Sequence, residues 1–121
     1  MTLAALIEIR FHAVRKQLSN LYPKLARSTR FKRMALTFAE DENSPAGQAW
    51  KDGIIEINLA YFDAYPKTMI REVVPHEVVH VAAYILHGEK GWGHKPRWKA
   101  LMRALDLPDG RIPNYQDEET L

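Results

Sequence analysis

Leu3, Ile7, Phe11, Val14, Leu18, Leu21, Tyr22 and Leu25 recur every three or four residues, the spacing of an apolar stripe along a helix. Pro23 is placed to end that helix near Tyr22. The period then shortens: in "MALTF", Met34, Leu36 and Phe38 alternate as in a half-buried strand. The acidic, turn-rich "AEDENSPAG" reads as a loop. "QAWKDGIIEIN" reads as a hairpin, with Asp52-Gly53 as a two-residue turn before a strand over 54–58. A second helical pattern covers about residues 67–87, with Gly88 suited to close it and Pro75 inside it, where a bend or a fresh start is expected. "HGEKGWGH" is a loop, and Pro96 opens a last helix whose buried stripe is Trp98, Leu101, Met102 and Leu105. The expected fold class is α+β: an N-terminal helix, a small three-stranded antiparallel sheet, a central helix and a C-terminal helix, with an irregular tail.

A chain of 121 residues, 46% hydrophobic and 26% charged, is expected to form one domain over residues 1–121. The absence of cysteine excludes disulfides, thiolate zinc sites and iron–sulfur clusters, so any metal must be held by histidine and carboxylate. Glu8 and Arg10 interrupt the first apolar run, no stretch is long enough to span a membrane, and a cytoplasmic location is expected. Charge is unevenly spread. Residues 1–33 hold eight Lys/Arg against one acid, and the remainder nine against fourteen. The basic third suggests a polyanion-binding face, with Arg10, Arg15, Lys16, Arg27, Arg30, Lys32 and Arg33 as candidate DNA contacts; a solvated helix exterior is the plainer alternative.

Within "PHEVVH", His76 and His80 stand one helical turn apart on the same face, so both imidazoles can reach one ion. Glu77 lies about 100° further round, beside such an ion without ligating it, where it can take a proton from a bound water. This is the H-E-x-x-H arrangement of zinc peptidases, which a chain of this composition acquires by chance roughly once or twice in a hundred cases. The third ligand must come from beyond the helix, from His87, Glu89, His94 or Asp106. His87 is about 10 Å along the axis from His80, too far for a shared ion. Glu89 follows the turn directly, and Asp106 ends a helix whose stripe faces inward. His94 follows a flexible Gly-x-Gly and precedes a helix that would hold it against the first, and geometry favours it.

"SPAGQAW", "IIEINLAYF", "REVVPHEVVH" and "GHKPRWKALMRALDLP" resemble, in order and spacing, the SprT-like domain family, which includes bacterial SprT and the animal DNA–protein crosslink protease Spartan. The similarity covers about residues 44–110. It implies a zincin-like metallopeptidase fold, with His76, His80 and His94 as ligands of one zinc ion per chain and Glu77 as the catalytic glutamate. It further implies DNA-associated or DNA-crosslinked protein substrates and a role in DNA repair. The cysteine-bearing zinc ribbon of bacterial SprT proteins has no counterpart in these residues, so the catalytic domain alone is expected.

Three neutral imidazoles leave zinc one open position, the mark of a catalytic site. Glu77 would accept a proton from the attacking water and pass it to the leaving amine of a hydrolysed peptide bond. Tyr84 and Tyr115 are candidate oxyanion donors, with core packing as their alternative, and Glu72 is a candidate acceptor for a ligand ring N–H. Trp92 can wall a substrate cleft, offer a base-stacking platform, or pack on the last helix. Substrate can add to an exposed strand of the sheet. A non-enzymatic, zinc-stabilised DNA-binding or adaptor domain is the competing class; such a domain has no need of Glu77. Nothing points to a membrane partner or to an oligomeric state.

Overall fold

The computed structural model describes residues 1–113 and 115. The N-terminal stripe forms α1 (Leu3–Leu21), capped by the Thr2 hydroxyl, which accepts from the Ala5 N–H; Ile7, Phe11, Val14 and Leu18 face the core. Two single turns follow, α2 (Pro23–Ala26) and α3 (Thr29–Lys32), each opened by its own signal: Pro23 at the first position of α2 and the Ser28 cap of α3.

The sheet contains β1 (Ala35–Ala39), β2 (Gly47–Ala49) and β3 (Ile54–Asn58) in the order β1-β3-β2. It is mixed, and this corrects the expected all-antiparallel arrangement: β2 and β3 pair antiparallel, whereas β1 and β3 run parallel. The reason lies in burial and linker length. Ile55 and Ile57 are wholly buried, so β3 takes the centre. The link 40–46 is long enough to carry the chain past that central position to the far edge. The hairpin turn also differs from the two-residue expectation. Gly53 N–H donates to Trp50 O and Trp50 N–H to Ile54 O, giving a three-residue loop with Gly53 at φ +100°.

After a 3₁₀ turn at Leu59–Tyr61, the chain enters a composite helix: α4 (Pro66–Thr68), a π-helical turn (Met69–Val73) and α5 (Val74–His87). Pro75 has no N–H, and the wider turn accommodates its ring. The carbonyls of Ile70 and Arg71, which an N–H at position 75 would serve, instead accept from Arg10 Nε (3.3 Å) and Nη2 (3.2 Å) of α1. The expected break at Pro75 is thus present, and a cation mends it. Removing that cation exposes two helix carbonyls, so Arg10→Ala is expected to cost about 1–3 kcal/mol in a denaturant melt. An unchanged midpoint would show that water replaces the guanidinium at no cost.

Every residue from Val74 to Ala83 is buried. A helix buried all round is the centre of a fold, and α5 contacts α1, the sheet and α6 (Pro96–Ala104). Gly88, at φ +63°, ends α5; a 3₁₀ turn at Gly88–Gly91 and a short loop lead to α6. A side chain at Gly91 would meet Ala83 O, so glycine there lets the returning chain lie on α5.

Candidate metal centre

The central helix presents His76 and His80 on one face, and the loop after Gly93 (φ +93°) carries His94 across to meet them. The three side chains offer nitrogen atoms that all lie within 4.8 Å of one another, the one such group among the described residues. His94 Nε2 is 2.9 Å from His76 Nε2 and 3.1 Å from His80 Nε2. A single ring nitrogen carries either one hydrogen or one lone pair, so His94 Nε2 cannot bond both neighbours at once. Three lone pairs converging on one cation resolve the conflict, and with Zn–N bonds of about 2.0–2.1 Å such nitrogens lie close to these separations. The residues fit a metal ion.

Electrostatics agree. Burial lowers His76 to about 4 and His80 to about 3, with neighbouring histidines adding to the shift. His94 is lowered by burial and then by Arg111 and Lys99. All three rings are therefore neutral, and ready to ligate, at physiological pH.

Trp98 supports the group from α6. Fully buried, it stacks on the His80 ring (centroids 5.1 Å apart, 19° between planes) and meets His76 at 4.7 Å and His94 at 4.8 Å. Its Nε1–H donates to His76 O at 3.3 Å. The apolar pattern identified Trp98 as buried but gave no sign that its neighbours are the three rings.

Glu77 is 7% exposed, and burial raises its carboxyl from 4.5 to about 8. It faces β2: a Cβ added at Gly47 would lie 2.7 Å from Glu77 Oε2 and 2.8 Å from its Cγ. A glycine within a short strand permits such close backbone approach; the sequence pattern places Gly47 in the turn-rich loop, whereas in the structure it opens β2.

Two clefts meet at this carboxylate. One, of about 260 Å³, is bordered by Pro45, Ala46 and Gly47 and by Arg111, Pro113 and Tyr115. The second is bordered by Gln48, Ala49, Trp92 and Gly93. Glu77, His80 and His94 line both. β2 is an edge strand, and among the described residues no further strand pairs with its outer edge beside the two clefts.

The remaining candidates separate. Tyr115 borders the first cleft, packs on Tyr65 at 4.9 Å, and is pushed up to about 12 by burial first and then by Tyr61, Glu77 and Glu72, so its hydroxyl keeps its proton. Trp92 walls the second cleft, 5.9 Å from the His80 ring. Tyr84 lines neither cleft; its ring packs against Trp92 beneath Arg30 and Lys51. Glu72 lies in the π turn, half-buried. Of the other ligand candidates, His87 sits against Arg97, Glu89 pairs with Lys51, and Asp106 is exposed. Arg10, Arg15 and Arg30 each donate to main-chain carbonyls, while Lys16, Arg27, Lys32 and Arg33 are exposed. Among the described residues no helix is long and apolar enough to cross a membrane.

Known proteins resemble the chain over this same region. The SprT-like family profile matches residues 11–116. Protein SprT of Pseudomonas entomophila (strain L48) is 32% identical over 66 residues, covering 54% of this chain and 40% of that protein. Protein SprT of Pseudomonas syringae pv. syringae (strain B728a) is 30% identical over 87 residues, 70% of this chain and 52% of that protein. The matched segment thus spans about half or less of these relatives' length. No solved structure matches. The chain belongs to the SprT-like family.

Proposed function

We propose that residues 1–121 act as a zinc-dependent endopeptidase domain in which His76, His80 and His94 hold the ion and Glu77 is the general base. The observation that carries this reading is the convergence of three ring nitrogens beside a buried glutamate, where two clefts meet along the edge strand of the sheet. A bound zinc would supply a Lewis acid that acidifies water and polarises a peptide carbonyl.

The protein's own groups do the rest. The outer edge of β2 takes an extended peptide by strand addition, which reads backbone rather than sequence. Glu77, adjoining β2, accepts the proton of the attacking water and returns it to the leaving amine. With a dication held by the three histidines, the Glu77 carboxyl, raised by burial, would ionise more readily and serve as the base. Tyr115, protonated and lining the same cleft, donates to the oxyanion. Trp92 walls the far cleft and Trp98 fixes the rings from below.

The targets we infer are DNA-associated or DNA-crosslinked proteins in the cytoplasm or on the nucleoid. Lys16, Arg27, Lys32 and Arg33 are exposed cations of the N-terminal third available for phosphate contact. A cleavage assay on a DNA-bound protein, with and without DNA and with and without chelator, tests the reading. Cleavage that chelator abolishes and zinc restores is the expected result. Its dependence on DNA decides the DNA-associated part, and zinc binding with no cleavage would favour the adaptor alternative.

A further inference from the structure

We propose that Asn58 is a positioning residue for substrate: its carboxamide fixes the wall Ser44–Gly47 against which the peptide lies. The inference rests on the peptidase reading above and deepens it.

Asn58 closes β3 and is 1% exposed. Its Nδ2, with two hydrogens, lies within donating reach of three carbonyls: Asp41 O at 2.6 Å, Ser44 O at 3.2 Å and Pro45 O at 3.2 Å. Its Oδ1 accepts from the N–H of Asp41 (3.2 Å) and of Ala60 (3.0 Å), and its own N–H donates to Ala46 O at 2.9 Å. The Tyr61 hydroxyl adds a bond to Ser44 O at 3.0 Å. One side chain thus gathers the main chain of a link that has no ladder of its own.

The link ends where the chemistry begins. Pro45, Ala46 and Gly47 border the cleft, and Gly47 lies so close to Glu77 that a single added carbon would collide with it. The strand that continues from it, β2, has three residues, too few to hold its own place as an edge. A wall ordered during folding spares that ordering cost at binding. The candidate metal ligands and the base all sit on α5 or the loop after it, so loosening the wall is expected to act on substrate binding and not on metal affinity.

The test compares Asn58→Ala, which removes every side-chain bond, with Tyr61→Phe, a milder variant that removes only the hydroxyl. At a temperature where both are folded, Asn58→Ala is expected to raise KM about tenfold, with kcat and zinc affinity within about threefold of wild type. Tyr61→Phe is expected to raise KM by a smaller factor in the same direction. Amide hydrogen exchange supplies a readout independent of cleavage: residues 41–47 lose protection in Asn58→Ala while α5 keeps it. If wild type cleaves nothing, the peptidase reading fails and exchange alone decides whether Asn58 holds the wall. Unchanged KM in both variants, or a uniform loss of protection across the chain, overturns the proposal.

Discussion

Glu77→Gln is expected to retain one zinc per chain and to lower kcat by about 10²–10⁴-fold, the usual contribution of a positioned general base. The substitution keeps shape and hydrogen bonding at one oxygen but cannot accept a proton. The same variant carries a stability signature in the metal-free protein. Burial raises the Glu77 carboxyl from 4.5 to about 8, so below pH 4.5 it is protonated in folded and unfolded chains alike. Between pH 4.5 and 8 the unfolded chain ionises first, and this group's contribution to stability falls as pH rises. Metal-free Glu77→Gln should therefore match wild type below pH 4.5 and melt above it at pH 8. Equal melting at both pH values would place the carboxyl in water, and full activity would remove Glu77 from the mechanism.

His94→Ala is the second large effect. Of the three converging histidines, His94 alone lies outside α5, and it is only partly buried. Its loss leaves two nitrogens on a helix, and zinc affinity is expected to fall more than about 100-fold, beyond the 10–100-fold that losing a supporting partner costs. Folding should survive, because the core around α5 is apolar and does not include His94. Competition against a chromophoric chelator measures the affinity, and circular dichroism checks the fold. Unchanged affinity would assign the third ligand to another residue.

Reading the chain alone reached some of this and missed the rest for physical reasons. His76, Glu77 and His80 were legible because a helix fixes the relative direction of residues one and four apart. His94 was legible because glycines free the loop before it and Pro96 restarts a helix after it. Strand order was not legible. Strand periodicity reports which face is buried, and nothing local to β1 states that β3 will insert between it and β2. Asn58, Trp98 and Gly47 escaped for a related reason, since each acts through a partner far along the chain: the link 41–46, the histidine rings and Glu77. Arg10 shows what a reading by charge leaves out. It was a candidate phosphate contact, and the structure gives its guanidinium two internal carbonyls freed by Pro75.

The central claim is that the three histidines form an open metal site. X-ray absorption at the zinc edge on the zinc-loaded protein tests it most directly. The account predicts one zinc with three imidazole nitrogens at about 2.0–2.1 Å and one exchangeable oxygen. No bound zinc, or a fourth protein ligand closing the site, would contradict it.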